Sequence, residues 1–191
     1  MRAVNFPTLL TWLRIAAIPL VVGLFMLPAA WMTLPMRNLL ATVLFVGAAL
    51  TDWLDGYLAR RLGQTSSFGA FLDPVADKLM VCATLLLLVQ LGRVNALIAL
   101  IIIGREITIS ALREWMASIG QRGKVAVNWL GKYKTIAQMV AIPFLLYDGW
   151  LFGLIDTRLW GFWLLLLAAV LTVWSMLYYF RLALVDLRRA T

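Results

Sequence analysis

Four aspartates stand out in a chain that is otherwise apolar. Asp52 and Asp55 are three residues apart, and Asp73 and Asp77 are four apart. On helices, each pair shares one face. The stretch between the pairs is polar and carries Gly63 and Gly69. The sequence therefore predicts two helices joined by a short loop, with all four carboxylates facing one another. Carboxylates gathered at low dielectric repel strongly. Divalent cations between them remove that repulsion, and an all-oxygen donor set suits Mg²⁺ or Mn²⁺. The chain has no histidine, so any metal ligation or proton transfer that imidazole might serve falls to carboxylates.

The elements that must position these aspartates are membrane helices. Of the 191 residues, 63% are hydrophobic and 14% charged, and mean hydropathy is +0.91. That balance belongs to a multi-pass membrane protein rather than to a soluble domain. The formal charge of +8 is read as affinity for anionic headgroups or phosphorylated substrates, not for nucleic acid. Cys82, the single cysteine, lies in an apolar run and reads as a small buried residue. No linker, repeat or low-complexity segment divides the chain, so residues 1–191 are expected to form one membrane domain.

Taken in order, residues 1–14 place Phe6, Leu9, Leu10 and Leu13 at helical spacing, the pattern of a short interfacial helix. The charge-free run from Ile15 to Met36 follows and is long enough to span a bilayer. Its continuation past Ala29 and Ala30 to Pro35 argues against a cleaved leader. The next three apolar runs, 38–51, 79–92 and 94–104, are each shorter than the about 20 residues a span requires. They reach that length only by taking in ionisable residues. The second helix must include Asp52 and Asp55, and the third Asp73 and Asp77. The fourth must run on through Arg105, Glu106 and Arg113. A fifth helix carries Lys132 and Lys134 at its start and ends near Tyr147, residues 148–157 turn, and 159–180 form a sixth span. The expected fold is all-α: six transmembrane helices plus a short N-terminal amphipathic helix.

Six spans put both termini on one side of the membrane. Fourteen of the seventeen lysines and arginines then fall on that side, with Arg37, Arg93 and Arg158 opposite. The basic side is cytoplasmic. The four aspartates, Arg105, Arg113, Lys132 and Lys134 therefore share one cytoplasmic region. A cluster at one face, with no second acidic cluster to continue a path, argues against the rival reading of a divalent-cation transporter.

The pattern Asp52-x2-Asp55-Gly56-x2-Ala59-Arg60-x8-Gly69-x3-Asp73-x3-Asp77 resembles the motif of the CDP-alcohol phosphotransferase family at every defined position. Eight fixed residues at fixed spacing are far more specific than a lone glycine motif. The stretches IGREITISALREWMASIG and VAVNWLGKYKTIAQM resemble the phosphatidylglycerophosphate synthase branch of that family in bacteria.

The resemblance implies a six-helix enzyme of the cytoplasmic membrane, commonly a homodimer. It implies that Asp52, Asp55, Asp73 and Asp77 hold two divalent metal ions, and that Asp77 is the base. It implies that Gly56, Ala59, Arg60 and Gly69 line the pocket for the CDP-linked lipid, CDP-diacylglycerol. Residue chemistry agrees in part: glycine allows close approach, and Arg60 offers a fork for phosphate. Ser66 offers a loop hydroxyl to the same donor. Asn5, Thr8 and Thr11 resemble the family's N-terminal nucleotide contacts, although Asn5 and Thr8 also suit helix capping. Arg105, Arg113, Lys132 and Lys134 suit a pocket for an anionic acceptor, sn-glycerol 3-phosphate in this branch. Rival acceptors are an inositol phosphate, serine and phosphatidylglycerol. Lys132 and Lys134 point about 200° apart on a regular helix, so either the helix start is irregular and both reach the pocket, or one of them snorkels to the interface. Glu106 reads equally as a partner in an internal ion pair or as a substrate contact.

Overall fold

The computed structural model describes the backbone of residues 6–62, 67–118 and 129–190. It describes side chains over 10–52, 54, 69, 71–112, 114–116, 118 and 133–176. Asn5 and Ser66 lie outside the described residues. Six helices follow in order: α1 Phe6–Met26, α2 Leu34–Leu62, α3 Ser67–Gln90, α4 Ala96–Ser118, α5 Trp129–Tyr147 and α6 Thr157–Ala190. Between α5 and α6, β1 (Trp150–Leu151) and β2 (Ile155–Asp156) pair antiparallel, with Trp150 opposite Asp156.

The ends of these helices follow from local chemistry. Asn95 caps α4, its Oδ1 accepting from the Leu97 amide at 2.8 Å. Asp156 caps α6, its Oδ1 accepting from the amides of Arg158 and Leu159 at 3.0 and 3.2 Å. Both residues are strong N-caps because a short side-chain oxygen satisfies amides that no helical carbonyl can reach. Helix α3 is closed off at Gly92, whose φ is +68°. The Gly92 amide donates to Val89 O and the Arg93 amide to Leu88 O, closing a Schellman turn.

Two expectations are corrected. The amphipathic segment and the first span are not separate elements: α1 runs unbroken through Arg14 and Ile15 and ends at Met26. Pro19, which takes the helical donor from the Ile15 carbonyl, lies inside the helix without ending it. The chain turns later, where Trp31 N donates to Pro28 O. The polar residues Thr11 and Arg14, which make the segment look interfacial in sequence, are buried against the rest of the protein. Gly69 is likewise not in a loop. It is a buried residue in the first turn of α3, which begins at Ser67.

Helix α1 packs along both α2 and α3, which touch each other only slightly. Helix α5 packs on α2 and most extensively on α6, and α4 lies against α3 and α6. The shared core draws Val21, Phe45, Leu85, Ile102, Leu145 and Leu165 from six different helices. Gly161 sets the α5–α6 approach: a Cβ there would lie 2.8 Å from Leu145 Cγ and 3.1 Å from Phe144 Cβ. Close approach at small residues is how helices gain packing where the surroundings are as apolar as the side chains.

Among the described residues, two helical stretches are long and apolar enough to cross a membrane: Leu34–Asp52 and Thr157–Met176. Leu10–Met26 is apolar but shorter. Leu20, Leu86, Leu100, Ile107 and Trp174 each expose more than half of their surface.

Candidate active site

Asp52, Asp73 and Asp77 meet at one end of the α1–α2–α3 cluster, but α2 and α3 do not bring them together alone. Helix α1 lies between them and supplies a cation. Arg14 is 2% exposed, and its Nη1 stands 2.9 Å from Asp52 Oδ1 and 2.6 Å from Asp77 Oδ1. Three residues earlier on the same face of α1, Thr11 Oγ1 donates to Asp73 Oδ1 at 2.5 Å. One helix face thus reaches three carboxylates on two other helices. The expected hairpin of four mutually facing carboxylates becomes a three-helix arrangement with a guanidinium at its centre.

By sequence, Arg14 counts only as a cytoplasmic charge. The signal that could have found it is its spacing from Thr11 in an otherwise apolar helix: a charge inside a membrane helix faces a partner or a cavity.

Beside the cluster lies a cavity of about 370 Å³. Arg14, Asp52 and Asp77 form its polar end, and Phe45, Leu50, Met80 and Met139 are among its apolar walls. Thr135, near the start of α5, also lines it. A cavity with charge at one end and hydrocarbon along its walls suits an amphipathic ligand.

The basic candidates separate. Lys134 is buried and pairs with Glu106 Oε1 across α4 and α5. Arg105 Nη1 is 3.2 Å from the same oxygen. Glu106 is therefore an ion-pair member, with Arg105 and Lys134 as its described partners. A half-buried carboxylate between two buried cations is a coupled unit, and losing one member leaves charge uncompensated. Among the described residues, Arg105 Nε has no hydrogen-bond acceptor although it is buried. Asp55, Gly56, Ala59 and Arg60 lie on α2, Thr8 on α1, Arg113 on α4 and Lys132 on α5; the side chains of these residues lie outside the described set.

Among the described residues, no group of three or more acidic, thiol or imidazole side chains is gathered as a metal centre. The donor chemistry nevertheless fits a divalent ion. Carboxylate oxygens from Asp52 and Asp77 converge on one positively charged nitrogen, and Asp73 lies one turn from Asp77. An all-oxygen set that converges on a cation is what Mg²⁺ or Mn²⁺ requires.

Comparison with known proteins agrees with this geometry. The model of the CDP-alcohol phosphatidyltransferase family matches residues 4–174, a span that holds all eight motif positions and Arg14. A protein of Salmonella choleraesuis (strain SC-B67) is 48% identical over 96% of this chain and 97% of its own length. One of Escherichia coli (strain K12) is 47% identical over the same shares. Both bear the name CDP-diacylglycerol–glycerol-3-phosphate 3-phosphatidyltransferase. With the family model spanning most of the chain and the motif aspartates Asp52 and Asp77 lining an amphipathic cavity, the chain belongs to the CDP-alcohol phosphatidyltransferase family.

Proposed function

We propose that this chain transfers the phosphatidyl group of CDP-diacylglycerol to sn-glycerol 3-phosphate, giving phosphatidylglycerophosphate and CMP. The observation that carries the reading is identity of nearly one half, over nearly the whole length, to proteins named for that reaction. The cavity supports it. A nucleotide-linked lipid has a charged head for the aspartate end and acyl chains for the apolar walls.

In this reading the primary hydroxyl of glycerol 3-phosphate attacks the phosphorus that bears diacylglycerol. A new P–O bond forms, the P–O bond to CMP breaks, and the hydroxyl proton passes to Asp77. Asp52, Asp55, Asp73 and Asp77 hold two divalent ions, Mg²⁺ or Mn²⁺, which when bound offset the charge of the pyrophosphate. Arg60 with Gly56, Ala59 and Gly69 binds the CDP moiety, aided by Asn5, Thr8 and Ser66. Thr11, assigned to the same task from sequence, holds Asp73 in place and so shapes the donor site from behind.

Arg105, Arg113, Lys132 and Lys134 supply the positive field for the acceptor phosphate. Lys134 is shared with Glu106, which leaves Arg113 as the principal phosphate fork. All six helices lie in the cytoplasmic membrane of a bacterium, with the aspartate end toward the cytoplasm. The outward-facing leucines, isoleucines and tryptophans and the basic-residue asymmetry support this. The family resemblance supports a homodimer.

CMP release by the purified protein, with CDP-diacylglycerol and a panel of acceptors, tests the reading. Glycerol 3-phosphate is expected to exceed serine, inositol phosphate and phosphatidylglycerol by on the order of tenfold or more, the worth of a charged hydrogen bond. Preference for another acceptor overturns the acceptor assignment. Absence of CMP release, with Mn²⁺ flux in liposomes instead, overturns the transferase reading.

A further inference from the structure

We infer that Arg14 is the resident cation of the aspartate cluster, and that it and a divalent metal ion exclude one another at the Asp52–Asp77 pair. Arg14 then acts as a positioning residue that holds the metal-free site together and sets how tightly metal binds. The inference rests on the metal reading above and deepens it.

The geometry carries the argument. Arg14 Nη1 contacts the Oδ1 atoms of both Asp52 and Asp77, at 2.9 and 2.6 Å. A hard divalent ion bonds carboxylate oxygen at about 2.0–2.1 Å, closer than any nitrogen can approach. Those two oxygens cannot give both centres their full approach, because lone pairs turned to the metal turn away from Nη1. Nor does a guanidinium rest beside a dication at low dielectric, because like charges there repel strongly. The charge balance points the same way: one guanidinium offsets one of two carboxylates, whereas one divalent ion offsets both.

Arg14 is 2% exposed, whereas the side chains of Asp52 and Asp77 are 42% and 35% exposed; without Arg14 a metal-free cluster would hold like charges at close range with solvent screening them only in part. Room for it to turn is present, since Arg14 itself lines the cavity of about 370 Å³. Thr11 holds Asp73 through a neutral hydroxyl, so that carboxylate keeps its place whichever cation is bound.

The test strips the full-length protein of metal in detergent and titrates Mn²⁺, following free Mn²⁺ by electron paramagnetic resonance and stability by thermal melting. Arg14→Gln is expected to bind Mn²⁺ about tenfold tighter or more, since a competing charge is gone. Its metal-free Tm is expected to fall by about 5 °C or more, and the gap from the parent is expected to close at saturating Mn²⁺. Equal or weaker Mn²⁺ binding overturns the inference, as does a Tm gap that persists with Mn²⁺ bound. If Arg14→Gln does not fold, Arg14→Met, which also removes the charge and keeps most of the volume, is judged on the same two readouts. A parent that binds Mn²⁺, and loses it on Asp52→Asn, while the Arg14 variants match it, sinks the exclusion and leaves the metal reading standing. A parent that binds no Mn²⁺ sinks both.

Discussion

Two buried arginines at opposite ends of the molecule do different work. Arg14 meets carboxylates that belong to the site. Arg93, 7% exposed, meets the frame. Its Nη1 donates to Leu145 O and Leu146 O at 3.0 and 2.8 Å, and its Nη2 to Asn38 Oδ1 at 2.8 Å. Its Nε lies 3.2 Å from Asp148 Oδ2. Those carbonyls are in the last turn of α5, where no helical amide can reach them. A cation at a helix C-terminus is also favoured by the macrodipole. Burial lowers the Arg93 pKa from its ordinary value while Asp148 raises it, and an arginine starts high enough to stay charged regardless. Asn38 and Asp52 lie on the same helix, so these two ends are separated by about 21 Å at ~1.5 Å per residue. An arginine bonded to backbone carbonyls has no competitor. One bonded to free carboxylates can be replaced by any better cation. The same side chain is thus a lock at one end and an exchangeable ligand at the other.

The sharpest break in this comparison comes from the aspartates. Asp52→Ala, Asp55→Ala or Asp73→Ala is expected to reduce CMP release by on the order of a thousandfold, as loss of a principal electrostatic element does. Asp77→Asn keeps the shape and loses the proton acceptor, so it should retain more Mn²⁺ than those variants yet lose most turnover. Near-parental turnover by Asp77→Asn removes the base assignment. Activity restored by excess Mn²⁺ recasts Asp77 as chiefly a ligand.

The second effect belongs to the far end. Arg93→Met leaves Asn38 Oδ1 and two α5 carbonyls without this donor, and Asp148 with Arg158 at 3.8 Å as its described cation. Removing one partner of such a buried set costs about 3–5 kcal/mol, a Tm fall of about 10 °C for a chain of this size. Mn²⁺ is not expected to recover it, in contrast to Arg14→Gln. Recovery by Mn²⁺ would erase the distinction between lock and ligand.

The third effect concerns the acceptor. Arg113→Ala is expected to raise KM for glycerol 3-phosphate by tenfold or more, from loss of a charged hydrogen bond of about 1.5–3 kcal/mol. KM for CDP-diacylglycerol should stay near the parental value. The reverse pattern assigns these cations to the donor.

These contrasts also show what a sequence carries. The gathering of Asp52, Asp73 and Asp77 was legible because acidic pairs at helical spacing are too costly in an apolar chain unless a cation or a watery cavity meets them. The helix order was legible because each apolar run had to borrow ionisable residues to reach spanning length. The common end of Arg37, Arg93 and Arg158 was legible too: Arg93 and Arg158 both approach Asp148, and Arg37 donates to Pro28 O and Met32 O in the neighbouring α1–α2 turn. Arg14 was not legible as a site residue, because its role depends on α1 lying between α2 and α3. Spacing within one helix reports a face, and which neighbours that face meets is decided by packing. For the same reason the pairing of Glu106 with Lys134, 28 residues away, could not be read from the nearer spacing of Glu106 and Arg113.

The smallest effects test the comparison most finely, because they hold the chemistry constant and change only the end. Asn95→Ala removes the cap of α4 at the far end, and Thr11→Val removes a single hydroxyl donor at the near end. Among the described contacts each loses one hydrogen bond, worth about 1–2 kcal/mol, so each should lower Tm by about 2–8 °C. Their functional consequences should diverge. Asn95 faces only the first turn of α4, so kcat, both KM values and Mn²⁺ affinity should match the parent. Thr11 orients Asp73, and valine leaves that carboxylate free to turn while keeping the volume. Thr11→Val should therefore weaken Mn²⁺ binding and raise KM for CDP-diacylglycerol severalfold, with KM for glycerol 3-phosphate unchanged. Thr11→Ser restores the hydroxyl and should restore Mn²⁺ affinity. If Thr11→Val and Asn95→Ala differ in neither metal affinity nor donor KM, the hydroxyl is only a stabilising contact, and the orientation of Asp73 is set by α3 alone.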